Sequence, residues 1–491
     1  MSILCNMPKL PSVERFLDFF KKPHQGPTQQ EPEAAPATIP NTQSEWPEHE
    51  KHIRSIDDSL FIELIRSIWD KTRTRYCKVV DRNAGSYNYC VTLDLNGEDE
   101  FVVRVPFRGT RESWTEDHAF ELRTEILNMK YLYDETKIML PYIHQWDEGF
   151  DNILGAPYTI MSRIDGVSAH ENLWYEEEMW GETADGAPIL RGADNPSPEL
   201  ERKRLRFLED LAKIMADLQN HVFDKMGALH CVDHWDPPPP TVGHYFEHRA
   251  DGYIKRGPFS STAEYLQLKK DEVAAEGTPP ITNNPDDVCE ARAYTRITPI
   301  MCDALPRSVD KHVTDEDYET APETFVLAHP DLDLQNIFVG ENGEITGIID
   351  WAGLRTVPRW AGWASFPLFL RKDFEHDYTC LENNENPHSP WKLDFYRKAY
   401  HGYLQQTLDP EGTGSYNDGK YTLKSGATCA ALEALDWEAL RGATIHRLLK
   451  EIPVMKGLYI TEFKQRFGSD EGWPEAEAML KEQFKALFMH T

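Results

Sequence analysis

Residues 325–367 read FVLAHPDLDLQNIFVGENGEITGIIDWAGLRTVPRWAGWASFP, and in that stretch an acid, an amide and a second acid are arranged around one short hairpin. His329-Pro330-Asp331-Leu332 is followed closely by Asn336. Residues 337–339 and 345–349 are apolar enough for two strands, and Asn342-Gly343 between them is the pair that favours a type I′ two-residue turn. With those two at the turn centre, Glu341 pairs with Glu344, Val339 faces Thr346, Ile337 faces Ile348, and Asn336 ends opposite Ile349. Asn336 and Asp350 then become neighbours at the open end of the hairpin.

That adjacency has a chemical meaning. Magnesium takes oxygen ligands at short, near-octahedral distances and keeps several waters, so one amide and one carboxylate side by side are a sufficient contribution from a protein. A carboxylate beside an attacking hydroxyl, together with such a cation, is most of what phosphoryl transfer asks for, because the reaction needs positioning and charge neutralisation more than covalent chemistry. The interval from His329 through Asp331 to Asn336 is that of the H-x-D-L-x-x-x-N loop, in which the Asp accepts the substrate proton and the Asn holds metal. Each residue alone reads more simply, as a turn, a cap and a strand-end acid. It is their joint spacing around one hairpin that argues for a site.

Ile349-Asp350-Trp351 stands where protein kinases usually carry Asp-Phe-Gly. With the upstream loop it resembles the aminoglycoside phosphotransferase and choline kinase-like superfamily, the small-molecule branch of the protein-kinase fold. In particular, the motifs look like those of the divergent fungal phosphotransferase-enzyme family, which includes proteins named for altered mitochondrial inheritance. The matches run over about residues 76–367, with long unmatched insertions. The resemblance implies an α+β, two-lobed protein-kinase-like fold: an antiparallel sheet plus a helix in the N-lobe, and a larger, mostly helical C-lobe. It also implies ATP and Mg2+ as cofactors and a hydroxyl of a small molecule as acceptor. Asp331 is then the catalytic base, His329 the scaffold of its loop, and Asn336 and Asp350 the metal ligands. The family name alone does not identify the acceptor, and antibiotic resistance does not follow from it.

Upstream, the pattern turns to strands at 77–80, 89–95 and 100–105, with an Asn96-Gly97 turn between the last two. The small-residue loop at 83–88 is expected to cover the nucleotide phosphates, Gly85 and Ser86 permitting close backbone approach. Read by itself it is an ordinary hairpin turn. Phe101-Val102-Val103-Arg104-Val105 resembles the strand V-A-I-K, whose Lys contacts the phosphates and pairs with a helix Glu. Here the cation is Arg104, which keeps the charge but carries a bulkier fork than an ammonium. By resemblance to the family pattern its partner is Glu125, in the helical stretch 117–132, with Glu121 one turn away as the rival. Residues 156–166 look like the hinge between lobes, where backbone groups from Met161 through Arg163 to Ile164 would read the purine edge.

A chain of 491 residues is too long for one core. The expected division is a tail and linker at 1–50, a nucleotide-binding N-lobe at 51–165, and a C-lobe at 166–491 that holds the catalytic stretch and an acceptor-binding helical subdomain. Lys and Arg number 52 against 82 Asp and Glu, a formal charge of −30, which argues against nucleic acid as a partner because phosphate contacts need cationic patches. No run reaches the ~18 apolar residues of a membrane span. The eight cysteines are scattered without a C-x-x-C pair, which suits reduced thiols inside a cell. No secretory signal is visible at the start. Val13, Phe16, Leu17 and Phe20 share a helical face with Arg15, Lys21 and Lys22 nearby, but Glu14 and Asp18 are wrong for an acid-poor transit peptide, so a cytoplasmic location is favoured over mitochondrial import.

The remaining stretches read as follows. Residues 23–50, rich in Pro, Gln, Glu and Thr, cannot repay their ordering entropy and form a linker. A helix is expected over 59–69. The acidic insertion 171–200, with Trp174, Tyr175 and Trp180, reads as a solvated loop, with capture of an amine-bearing substrate as the alternative. Leu208, Leu211, Ala212, Met215 and Leu218 have helical spacing. His244-Tyr245-Phe246-Glu247-His248 matches a zinc-protease pattern by chance, and no zinc is expected. Residues 251–285 alternate charge, Gly and Pro, while helices are expected at 288–305, 430–452 and 474–490. Besides a phosphotransferase, the residues leave open a degenerate kinase-like scaffold, favoured by Arg104 and the sparse glycine loop, and a protein kinase.

Overall fold

Strand alternation builds the first lobe. In the computed structural model, which describes residues 47–489 apart from 73, 176–178, 183–187, 191, 234–237, 250–251, 277–284, 311–312, 314–315, 376–377, 379–387, 414–417, 437, 458, 460–461, 463–465 and 472, two short helices lead into a five-stranded sheet. The helices are α1 (Glu48–Arg54) and α2 (Asp58–Trp69), the latter opened by Asp57, which accepts the Ser59 N–H at 2.9 Å. The expected linker, except for its last four positions, and the amphipathic segment at 13–20 lie outside the described residues. Strands β1 (Cys77–Ala84), β2 (Asn88–Leu95), β3 (Asp99–Pro106), β4 (Ile143–Asp147) and β5 (Tyr158–Ser162) are antiparallel in the order β1-β2-β3-β5-β4. Every second residue of β2 and β3 is buried, so Val91, Leu93, Val103 and Val105 share one face, which Phe61, Leu64 and Ile65 of α2 cover. Cys90 and Arg104, cross-strand neighbours, are on the other face.

Helix α3 (Glu116–Glu135) follows β3. Thr115 Oγ1 accepts the His118 N–H at 3.3 Å while His118 Nδ1 accepts the Thr115 N–H at 3.1 Å, a reciprocal cap that satisfies two orphan donors. Leu122, Ile126, Met129 and Leu132 bury one side of α3 in a core shared with Met161 of β5 and with the larger lobe.

The C-lobe sheet is assembled from distant segments. Strands β6 (Val167–Ser168), β7 (Val222–Phe223), β8 (Gly227–His230), β9 (Thr241–Gly243), β10 (Tyr245–Arg249), β11 (Gly252–Arg256), β12 (Phe325–Ala328), β13 (Ile337–Val339), β14 (Ile345–Ile348) and β15 (Arg355–Pro358) form three groups. One sheet has the order β9-β8-β15-β12-β7, a second β14-β13-β6, and β10 and β11 pair as a hairpin. The loop at 329–336 leaves the first of these sheets for the second, and the loop at 349–354 returns, so both site loops are pinned at each end.

The hairpin register differs from the expected one in its turn. Gly340 and Glu344 close the loop (Gly340 N to Glu344 O, 2.9 Å), Gly343 N donates to Gly340 O at 3.0 Å, and Gly343 has a φ of 81°. Asn342 is outside the left-handed region, so the connection is a three-residue loop with glycine in that region rather than a type I′ pair. Val339 therefore pairs with Ile345, and Thr346 is extruded as a bulge. The longer loop and the bulge offset one another: Ile337 still pairs with Ile348, and Ile349 N donates to Asn336 O at 2.9 Å. Thr346 Oγ1, freed from the ladder, donates to Asp165 O at 2.5 Å in the interlobe connection. On the other side of that connection, Ser162 N donates to Tyr142 O (2.9 Å) and Arg163 N to Glu100 O (3.3 Å).

Helices α4 (Pro198–Ala216), α5 (Thr262–Glu276), α6 (Pro285–Ala304), α7 (Pro390–Leu408), α8 (Ser425–Asp436), α9 (Glu438–Glu451) and α10 (Trp473–Phe488) complete the larger lobe. Leu208, Leu211, Ala212 and Met215 are buried on α4, as their spacing predicts. Residues 251–285, read only as alternating charge, Gly and Pro, contain β11 and α5, whose charges pair with neighbouring elements. The His244 to His248 match, read as chance, runs into a strand, where residues four apart are not one helical turn apart. Two expectations are corrected. The stretch 430–452 is two helices, not one. Trp174 and Tyr175 are buried rather than solvated: Arg204 donates to Trp174 O from Nε (2.8 Å) and Nη2 (2.5 Å) and to Tyr396 Oη (2.7 Å), while Trp174 Nε1 donates to His388 Nε2 at 2.9 Å.

The turn makes a stability prediction. Gly97 (φ 75°) and Gly343 are both left-handed, but a Cβ at 97 meets open space and one at 343 would lie 2.7 Å from Leu173 Cδ1. Gly97→Ala should cost about 1 kcal/mol from backbone strain alone. Gly343→Ala should cost more; urea melts giving equal losses would contradict the close approach.

Candidate active site

His329 organises the loop. Its Nδ1 accepts the Asp331 N–H at 3.0 Å, so the proton is on Nε2, which donates to Ile349 O at 3.0 Å. One neutral imidazole thus ties the Asp331 turn to the residue preceding Asp350. Burial pushes its pKa down to about 4, and the Trp351 ring packs edgewise on it at 4.4 Å.

Asn336 sets the next link. Its Nδ2 donates both to Asp331 O (2.8 Å) and to Asp331 Oδ2 (2.9 Å). With both amide hydrogens so used, the amide oxygen turns away from Asp331, and it is the atom a hard cation would take. Asp333, which the sequence reading did not single out, steadies the turn: it accepts the Leu334 N–H at 2.8 Å and pairs with Lys372 Nζ at 3.1 Å.

Asp350 has a φ of 64°, a left-handed backbone in a non-glycine residue at the hairpin exit. Its carboxyl titrates above the usual range: burial is the first cause, and the negative charges of Glu125 and Asp331 add to it against the pull of Arg104. The side chain nevertheless has an open edge to solvent. A carboxylate crowded by other carboxylates, next to an outward amide oxygen, is a donor set that fits a hard divalent cation. Among the described residues no group of three or more His, Cys, Asp and Glu side chains has a metal-holding arrangement, so this chain would supply two ligands, leaving other positions to phosphate and water.

Arg104 and Glu125 meet across the cleft, Nη2 to Oε1 at 2.6 Å, both about nine-tenths buried. Burial works against the Arg104 charge, but the Glu125 carboxylate outweighs it and keeps the guanidinium pKa above its ordinary value. For Glu121, the rival, burial, helped by Asp117 and Glu125 against the pull of Arg108, raises the pKa to about 7. Cys90, the cross-strand neighbour of Arg104, lies within electrostatic reach of Arg104, Asp350 and Glu125. Counting from a two-residue Asn96-Gly97 turn would have put Tyr89 there instead, because the loop holds three residues, 96–98.

The other expected residues are spread more widely. Gly85 and Ser86 sit in the exposed loop between β1 and β2, where Gly85 N donates to Asn88 O at 3.0 Å and an added Cβ would meet nothing closer than 4.0 Å. Met161 is buried in the core between the lobes. The Arg163 side chain points to Glu100 on the outside of the sheet, leaving only its backbone in the connection.

A five-stranded antiparallel sheet, a helix whose Glu pairs with a strand cation, a single connection, and then two loops that carry Asp331 and Asp350 on a helical lobe make this a two-lobed α+β, protein-kinase-like fold. The chain is similar to two curated relatives, each called altered inheritance of mitochondria protein 9, mitochondrial. The one from Kluyveromyces lactis is 20% identical over 75% of this chain and 61% of its own length. The one from Yarrowia lipolytica is 20% identical over 40% of this chain and 35% of its own length. The chain thus spans less than two thirds of either relative. Among solved structures, it resembles a thermostable variant of aminoglycoside phosphotransferase APH(4)-Ia in ternary complex with AMP-PNP and hygromycin B, at 14% identity, TM-score 0.39, and coverage of 81% of this chain and 98% of that one. No family model matches the chain.

The His329 pKa yields a pH prediction. Unfolded, the imidazole titrates near 6.5; folded, near 4, so the unfolded state binds more protons between those values. Stability from this residue is present above about pH 6.5 and is lost as pH falls toward 4, by about 3 kcal/mol in all. Urea melts from pH 7 to pH 4 should show the loss, and His329→Asn should flatten the slope; an unchanged slope would refute it.

Proposed function

We propose that this chain is an ATP-dependent phosphotransferase that moves the γ-phosphate to a hydroxyl of a small-molecule acceptor. One observation carries the reading: Asp331, the Asn336 amide bonded to it, and the crowded carboxylate of Asp350 are gathered at one end of a single hairpin, with Asp350 in electrostatic reach of Asp331, Arg104 and Glu125. Asp331 accepts the proton of the attacking hydroxyl, its carboxylate oriented by the Asn336 amide. Asn336 and Asp350 would hold Mg2+, which when bound neutralises charge on the phosphate oxygens. Arg104, held by Glu125, contacts those oxygens; Gly85 and Ser86 cover them; and backbone from Met161 to Arg163 meets the purine. In this reading the N-lobe is 51–165 and the C-lobe 166–491, with the acceptor held between the 325–367 stretch and the helical subdomain.

A nucleotide-binding scaffold is the second reading, favoured by the bulk of Arg104 and by a phosphate-side loop whose glycine conformation any residue could adopt. For location, composition supports the cytoplasm, and the relatives' names support mitochondria; fractionation of cells expressing the tagged full chain separates the two.

The test is transfer of labelled γ-phosphate across a broad panel of hydroxyl metabolites. Asp331→Ala should lower turnover by about a hundredfold or more while nucleotide binding persists. Asp350→Ala should abolish the magnesium dependence of nucleotide binding. Wild-type nucleotide binding without turnover on any metabolite would favour the scaffold, and transfer confined to protein acceptors would favour a protein kinase.

A further inference from the structure

The hairpin of β10 and β11 stands between the two lobes. One face, carrying Phe246, Tyr253 and Lys255, meets the first half of α3. The Phe120 ring stacks on His244 at 5.0 Å and 16° and meets Phe246 (5.8 Å) and His230 (5.2 Å) edgewise. His118, whose Nδ1 accepts the cap hydrogen bond, donates from Nε2 to Tyr253 Oη at 2.9 Å, and the Arg108 guanidinium contacts the same phenol oxygen. Lys255 Nζ pairs with Asp117 Oδ1 at 3.4 Å.

The other face is anchored in the larger lobe. Glu247 accepts from Arg256 Nε (2.9 Å) and from the buried Lys269 Nζ (3.0 Å), and Lys269 also reaches Asp436 Oδ1 at 3.0 Å. Asp436 accepts the Tyr265 hydroxyl at 2.6 Å and lies 3.5 Å from Arg355 Nη2, on the strand that follows the Asp350 loop. A buried charge held by several partners is rigid, because losing any one leaves another uncompensated.

The second half of α3 has its own attachment to the larger lobe: Cys231 Sγ donates to Asn128 Oδ1 (3.2 Å), Lys130 pairs with Asp233 (2.6 Å), and Tyr131 Oη meets His221 Nδ1 (2.8 Å). Glu125 therefore lies between two anchors. Its pair with Arg104 is formed between two desolvated groups, and the contact is lost if the helix shifts by a few ångström.

We infer that the hairpin 245–256 is a positioning clamp, holding the first half of α3 so that Glu125 stays on Arg104 and the phosphate grip is assembled before nucleotide arrives. Tyr253 and Lys255 are positioning residues: they touch α3, not the reacting atoms. The role in nucleotide binding rests on the function proposed above; the mechanical role does not.

The experiment uses the full chain with Tyr253→Ala and Lys255→Ala combined, Tyr253→Phe as the conservative variant, and Ile254→Ala, an exposed position on the same strand, as control. Two readouts are taken: hydrogen exchange of α3 amides without nucleotide, and affinity for AMP-PNP with magnesium. The double variant should exchange about tenfold faster over 119–127 with 128–135 unchanged, and bind AMP-PNP about tenfold more weakly. The loss should vanish in a Glu125→Gln background, because the clamp acts through that residue. Tyr253→Phe should retain most of both properties and Ile254→Ala all of them. Unchanged exchange over 119–127 overturns the clamp; faster exchange with unchanged affinity, or an equal loss in the Glu125→Gln background, overturns its role in the grip. A wild type that binds no AMP-PNP defeats the proposed function instead, and the exchange data alone then decide the clamp.

Discussion

A neutral imidazole holds the site together. The two loops that carry Asp331 and Asp350 leave different strands, and the His329 ring accepts from one and donates to the other. A protonated ring could not accept, so the bridge depends on burial keeping the second proton away. Everything chemical follows in sequence from that ring. Asp331 is fixed by its own N–H, Asn336 by the Asp331 oxygens, and Asp350 by the strand whose first carbonyl partner is Asn336.

Charge in the cleft is balanced by crowding rather than by counting. The Glu125 and Asp350 carboxylates stand within reach of the Arg104 guanidinium, and that of Asp331 within reach of Asp350. Such a cleft favours a cation and repels a bare polyanion, so nucleotide and metal would be expected to enter as one electrically compensated unit. An arginine at 104 suits this setting because its charge survives burial that would discharge a lysine more readily.

The catalytic stretch was legible because its chemistry is local. Strand pattern, turn residues and a short count brought Asn336 beside Asp350, even though the loop was one residue longer than expected and a bulge took up the difference. Glu125 over Glu121 was also readable, from family pattern, and it is the one that meets Arg104. What escaped was long-range. Trp174 and Tyr175 sit among acids in the sequence and look solvated, yet Arg204, Tyr396 and His388, up to 214 residues away, bury them. Helix α7 and the α5 segment were missed for the same reason: Lys269, Glu247 and Asp436 are charges whose burial only tertiary partners explain.

The connection between the lobes repays a closer look. Ser162 and Arg163 are stitched to the small lobe by backbone hydrogen bonds, while Asp165 is stitched to the large one by the bulged Thr346 hydroxyl. Between those stitches only Ile164 is left, and its side chain abuts Gly347. Along the backbone, any swing of one lobe over the other is thereby concentrated in the torsions about a single residue, and because the α3 attachments to the larger lobe must give way with it, the two halves of the cleft are left a narrow arc in which to open and close.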